Sequence, residues 1–254
     1  PWLSYVALGT VADCVSLGGS PANRAVVSHG LKLINRMDAA CWRAMAARLG
    51  ADSVPFNAET LAFQMGPRIN ARSRLDDPYA ALHFMLAESD GVANRQLEVL
   101  DQDNQSRKAI EADMAEEARA LAAPALEANE PAVVVLLEDG HPGVQGIVAS
   151  RLVQAYGRPA VVLTRAAAPN MLTGSGRSIE GLHLRDALQR TFELAPEALP
   201  RFGGHSGAAG VGVPREQLDT FKTAFLQAVS EQLGDTPLYP RLWTDGELST
   251  AQLS

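Results

Sequence analysis

The sequence predicts a mixed α/β protein in two parts separated by a long helix. Three observations carry that expectation. A strand–helix–strand pattern runs from Ala132 to Leu163, and such a unit lays its two strands parallel. The stretch from about Asp90 to Ala123 is polar on most faces, as helices that bridge domains are. The 254 residues suffice for one large domain or two small ones, at roughly 150 residues per domain.

Each element has its own reason. Tyr5 to Val11 is a short apolar run that ends in Ala12-Asp13 and reads as a buried strand, with Asp13 at its carboxyl end. A Gly18-Gly19-Ser20-Pro21 loop follows. Val26, Val27, Gly30, Leu31 and Ile34 recur at helical spacing, so Asn23 to Ile34 reads as a helix. Ala39 to Leu49 is a second helix, stopped by Gly50. Ala58 to Met65 is a third, ended by Gly66-Pro67. Arg68, Arg72 and Arg74 then make a basic segment, and Pro78 to Ala87 is another helix. Ser89 caps the long helix and Pro124 ends it. Its aliphatic positions Leu97, Leu100, Ile110, Met114 and Leu121 are sparse. Asp101 and Asp103, two apart, point to different sides of a helix and read as solvated.

Beyond Pro124, Ala132 to Leu137 is a buried strand. Gly143 to Tyr156 is a helix entered through Asp139-Gly140-His141-Pro142, and Pro159 to Leu163 is the next strand. Met171 to Ile179 reads as a glycine-broken strand, Leu184 to Arg190 as a short helix, Gly210 to Val213 as a strand and Arg215 to Leu233 as a closing amphipathic helix.

Composition removes several classes. Two cysteines, Cys14 and Cys41, rule out a disulfide-dense scaffold, and both read as small buried hydrophobes. The longest aliphatic stretches fall far short of the ~20 residues that span a bilayer. The start shows no basic segment followed by an apolar stretch, so no secretory leader is expected. With 22 basic and 29 acidic side chains the formal charge is −7, which speaks against coating nucleic acid by bulk charge but leaves room for a narrow basic channel. The chain opens Pro1-Trp2-Leu3-Ser4-Tyr5 and closes in what looks like a strand just beginning, so a piece of a longer protein is expected.

Four segments have the residue types that chemistry needs. Gly174-Ser175-Gly176-Arg177-Ser178 offers exposed backbone N–H groups, two hydroxyls and a guanidinium, a donor set suited to phosphate. Arg201 to Gly210 holds Gly203-Gly204-His205 followed by five small residues, where an imidazole can approach a ligand or simply sit in a tight helix entry. Asp139 to Gly146 joins a strand end to a helix start, where α/β proteins hold anions, but lacks the full G-x-G-x-x-G. Asp13, at a strand end, is placed for a metal or for a turn. There is no G-x-S-x-G elbow, no Walker A loop and no CxxC pattern.

Taken in order, the motifs resemble the RecJ family of single-strand-specific DNA exonucleases across nearly the whole chain. Leu8 to Asp13 is similar to that family's fourth phosphoesterase motif. Gly66-Pro67-Arg68-Ile69-Asn70-Ala71 with Arg74-Leu75 resembles its G-P-R-[IL]-N-A-x-x-R-L stretch. His141 to Val144 with Gly146 to Arg151, then Gly174 to Ser178, then Gly203 to His205 complete the set.

The resemblance implies two α/β lobes joined by a long helix: the C-terminal part of a DHH phosphoesterase lobe over 1–88, the connecting helix over 89–124, a DHH-associated substrate-binding lobe over 130–235, and the beginning of a β-rich OB-fold over 236–254, with Trp243 to Ser254 as its first strand. It implies a hydrolase of recombination and repair in the bacterial cytoplasm, cutting single-stranded DNA from a 5′-phosphorylated end with Mn2+ or Mg2+, beside a single-strand-binding protein and a helicase. Asp13 matches a metal-ligating aspartate. Ser175, Gly176, Arg177 and Ser178 match the segment that grips the terminal phosphate. Gly203, Gly204 and His205 would lie near the phosphates, and Arg68 and Arg74 would contact the backbone or the scissile phosphate. Asp13, His205 and Arg74 are thus the catalytic candidates. The Asp-His-His motif and an aspartate-rich motif are absent, and Arg72-Ser73 stands where the family has Ala-Gly. This chain alone is therefore expected not to cut. The other readings are a DHH-type oligonucleotide or cyclic-dinucleotide phosphodiesterase and a non-catalytic single-strand-binding module.

Overall fold

The computed structural model describes residues 2–50, 55–75, 79–241, 244 and 246–247, with the side chains of 72–75 outside that description. The chain divides into two compact units, Pro1–Ala109 and Ile110–Ser254. All five strands lie in the second unit, and the described residues of the first form only helices and their connections.

In the first unit α1 spans Leu3–Ala12, α2 Pro21–Ile34 and α3 Ala40–Leu49. The expected strand from Tyr5 to Val11 is therefore a helix. A short apolar run does not by itself separate a buried strand from a buried helix. What decides it is packing: Ser4, Ala7 and Leu8, spaced as one helical face, are buried. Gly30 of α2 lets the two helices cross closely, because a Cβ there would overlap Ala7 and stand 2.8 Å from the Leu3 carbonyl. Ser20 caps α2 through the Asn23 N–H, and Gly50 closes α3 in the left-handed region.

Helix formation does not stop at Gly66-Pro67. A π-helical segment, Thr60–Met65, leads directly into α4, Gly66–Leu75. The Gly66 N–H bonds the Leu61 carbonyl, five residues back, and this widened turn takes in the proline ring and its missing donor. The basic segment is thus part of a helix. α5 spans Ala80–Met85; the expected start at Pro78 lies outside the described residues. Trp42, Met45, Leu61, Met65 and Phe84 form the core of this unit together with Leu97 and Leu100 of α6, Asp90–Glu127.

Two residues of this unit depart from expectation. Asp101 is 6% exposed rather than solvated. It follows Leu100 on the inward face and takes Arg48 Nε and Arg68 Nε, each at 2.6 Å, on its two oxygens. Cys14 is exposed, in the left-handed region just past α1, whereas Cys41 is buried against the Tyr5 hydroxyl.

The long helix also outlasts its proline. Pro124 sits inside its last turns, and the helix ends instead at Asn129, whose φ is +52°. The Glu130 N–H bonds the Ala125 carbonyl at 2.8 Å and the Asn129 N–H the Leu126 carbonyl at 3.0 Å, the paired bonds of a Schellman cap.

The second unit is a five-stranded sheet in the order β1-β2-β3-β5-β4. β1 is Val133–Leu136, β2 Ala160–Arg165, β3 Met171–Arg177, β4 Arg201–Gly204 and β5 Ala208–Pro214. β1 and β2 are parallel across α7, Gln145–Tyr156, as the strand–helix–strand pattern requires; the other pairs are antiparallel. One face packs on α8, Leu184–Leu194, and α9, Leu218–Leu233, through Leu163, Leu172, Val211, Val213, Phe221 and Phe225. The other packs on α7 and on Met114, Ala118 and Ala122 of α6. Trp243 to Ser254, the expected first OB-fold strand, falls largely outside the described residues.

Candidate nucleic-acid interface

Strand alternation sorts the Gly174–Ser178 segment. Gly174 and Gly176 face the α8–α9 core: a Cβ at Gly174 would stand 2.6 Å from Leu163 Cδ2, and one at Gly176 would stand 3.0 Å from Leu184 Cδ2. Ser175 and Arg177 face the opposite way, toward the start of α7. Gly176 is thus a packing residue whose carbonyl also accepts from Arg177 Nη1 at 2.8 Å.

The two outward side chains converge on Gly146. A Cβ built there would overlap Arg177 Nη2, stand 3.0 Å from Arg177 Cζ and 3.2 Å from Ser175 Oγ. Arg177 Nη1 is 3.4 Å from Ser175 Oγ. Only glycine lets a guanidinium and a hydroxyl lie this close to the first turn of α7. That turn has no side-chain cap at Val144, and the amino end of a helix carries partial positive charge. Gln145, 3% exposed, fixes the helix start by donating from Nε2 to Thr164 Oγ1 at 2.7 Å and to the Thr173 carbonyl at 2.8 Å.

His205 lies in the exposed β4–β5 turn, not at a helix entry. Gly204, φ +152°, makes that turn: a Cβ there would overlap the Ala208 carbonyl. The His205 N–H bonds that carbonyl at 2.9 Å, and its Nδ1 accepts the Gly207 N–H at 3.2 Å. The ring proton is therefore on Nε2. His141, before α7, repeats the arrangement, with Nδ1 accepting the Gly143 N–H at 3.1 Å. The Ser178 N–H bonds the Gly207 carbonyl at 3.0 Å, so the histidine turn is tied to the end of β3. Ser178 Oγ donates to the Leu182 carbonyl at 2.8 Å, which commits its proton to closing a turn. Gly203 is exposed on β4 with nothing near it.

Three candidates belong to the first unit. Arg68 has Nε on Asp101 and Nη1 on the Gln64 carbonyl at 2.6 Å, which orients its guanidinium. Arg74 is on α4, and its side chain lies outside the description. Asp13 is exposed at the end of α1, its N–H bonding the Gly9 carbonyl at 3.0 Å. Mn2+ and Mg2+ want several oxygen ligands each. No group of three or more His, Cys, Asp and Glu able to hold a metal occurs among the described residues. Asp13 by itself cannot hold a two-metal centre, which needs several further oxygen ligands.

Local sequence pattern missed the close approach at Gly146 and the burial of Asp101. The signal for Gly146 was its place just inside a helix that follows a strand; what it makes room for was invisible, because Arg177 is 31 positions away.

A family model described as a DHHA1 domain matches residues 129–231. The single-stranded-DNA-specific exonuclease RecJ of Dickeya dadantii is 39% identical over 99% of this chain and 44% of its own length. The protein of that name from Escherichia coli is 36% identical with the same coverages. The crystal structure of RecJ in complex with Mn2+ from Thermus thermophilus matches with a TM-score of 0.78 at 30% identity, over 94% of this chain and 34% of that one. The chain thus spans less than half the length of these relatives.

Proposed function

We propose that this chain, which is similar to RecJ proteins and matches a DHHA1 domain model over residues 129–231, serves a metal-dependent 5′→3′ exonuclease of single-stranded DNA by gripping the 5′-phosphorylated end of the strand. The observation that carries this reading is the convergence of Arg177 and Ser175 on Gly146 at the uncapped start of α7. A terminal phosphate placed there would take the guanidinium, the Ser175 hydroxyl and helix N–H groups together, each a charge-assisted hydrogen bond. His205 would add its Nε2–H from the neighbouring turn. Holding the end at a fixed point gives cutting its polarity and step.

Hydrolysis with Mn2+ or Mg2+ is proposed for the whole protein, with Asp13 contributing one carboxylate and Arg68 and Arg74 contacting the strand. This chain by itself binds and orients rather than cuts. A single-strand-binding protein and a helicase are the proposed partners, in the bacterial cytoplasm. No helix among the described residues is long and apolar enough to cross a membrane.

The test is equilibrium binding of otherwise identical single-stranded oligonucleotides with a 5′-phosphate or a 5′-hydroxyl. The phosphorylated strand should bind more tightly, and Arg177→Ala should abolish the difference. Equal affinity for the two strands in the unmodified chain refutes the grip. Mn2+-dependent degradation by the purified chain would refute its non-cutting role.

A further inference from the structure

α7 covers its face of the sheet only as far as β3. Beyond it, β5 and β4 present Gly210, Gly212 and Gly203 to the same side, and no helix among the described residues covers Gly210 and Gly203, which are exposed. A Cβ at Gly203 would meet nothing within 4 Å, and one at Gly210 only the Gly174 carbonyl at 3.8 Å. Glycine weakens a strand interior, so a patch of it marks close approach by another backbone or a ligand. The patch floors a groove of about 670 Å³ walled by Pro142, the Arg165–Ala168 turn and Arg201.

Strand register ties this groove to the phosphate grip. Ser175 pairs with Gly210, which pairs with Gly203, so one row runs from the gripping hydroxyl to the sheet edge. The next row is Thr173, Gly212 and Arg201. Arg201 is exposed, and among the described residues none forms a hydrogen bond or ion pair with its guanidinium. Arg165 on the far wall is held by Glu138 through Nε at 2.9 Å. Two strand spacings and two residue steps put Arg201 about 12 Å from Ser175. That is too far to share the terminal phosphate and well placed for a phosphate further along the same strand.

We propose that this glycine-paved groove is a second strand subsite, in which a nucleotide beyond the first lies flat on β5 and β4 with its phosphodiester on Arg201. The inference rests on the 5′-end grip above. Sugar and base can approach a floor without side chains as no other part of this face allows, and Arg201 supplies the charge that complements their phosphate.

The test uses 5′-phosphorylated oligothymidylates of increasing length, from the mononucleotide upward, against the whole chain. Arg201→Ala should leave the shortest ligands unaffected and weaken longer ones by about five- to tenfold, with the salt slope for long strands reduced by about 0.7. Gly210→Val should fill the groove, keep or raise the melting temperature because β-branched residues suit strands, and weaken only the longer ligands. If both variants bind every length like the unmodified chain while Arg177→Ala still loses the 5′-phosphate preference, the groove subsite is overturned and the grip stands. If the unmodified chain shows no 5′-phosphate preference at all, both fall.

Discussion

Gly146→Ala should separate stability from binding. The added methyl would overlap Arg177 Nη2 and crowd Ser175 Oγ. The displaced group is the far end of a flexible side chain, so the fold gives way cheaply. Alanine also favours helix over glycine by up to about 1 kcal/mol. The melting temperature should therefore stay level or rise slightly. Binding should suffer, because the methyl occupies the place where guanidinium, hydroxyl and helix N–H groups meet. Loss of one hydrogen bond to a charged partner costs about 1.5–3 kcal/mol, or roughly 10- to 150-fold in affinity. Fluorescence anisotropy with 5′-phosphorylated and 5′-hydroxyl strands, alongside thermal unfolding, reads both quantities. The phosphorylated strand should lose its advantage and the hydroxyl strand should bind as before. An unchanged phosphate preference in a well-folded Gly146→Ala protein would show that the convergence at α7 is not the phosphate site.

Four other substitutions probe the fold. Asp101→Ala strips the carboxylate from between Arg48 and Arg68 and should destabilise the first unit by about 2–3 kcal/mol, less than a fully buried pair because Arg48 is half exposed; differential scanning calorimetry should resolve an early transition. Gly204→Ala should lower the melting temperature, since its methyl would overlap the Ala208 carbonyl at φ +152°, whereas Gly203→Ala, into open space, should melt like the unmodified chain. Arg215, and then Arg165, hold the Glu138 carboxyl down to about 2 from an ordinary 4.5. The cluster therefore favours the folded chain in full above pH 4.5, and that contribution fades as pH falls toward 2. Glu138→Gln should melt below the unmodified protein at neutral pH, and the two should converge on acidification; a gap that persists at about pH 2 would refute the ionic origin.

Local pattern carried far in the second unit. The βαβ order, the buried run of β2 and the amphipathic closing helix all follow from neighbours in sequence, because a strand or helix shows its period within a few residues. The donor types of Gly174–Ser178 were legible too, since glycine, hydroxyls and a guanidinium suit an anion. The same composition hid their division of labour. Which glycines serve packing and which side chains serve the ligand is set by strand alternation against α8, and that needs the register.

By itself, the sequence determined the βαβ unit, β3, β5 and the two later helices, though not the edge strand β4, together with the motif order and the residue types of one segment. Tertiary structure decided the rest wherever a partner came from far along the chain. α1 is a helix because Gly30 lets α2 come close. Pro67 stays helical because a π-turn opens before it, and Asp101 is buried because Arg48 and Arg68 reach it. Gly146 leaves no room for a side chain because Arg177 lies over it. In each case local propensity costs or gains only about 1 kcal/mol, which a close crossing or a paired buried charge outweighs.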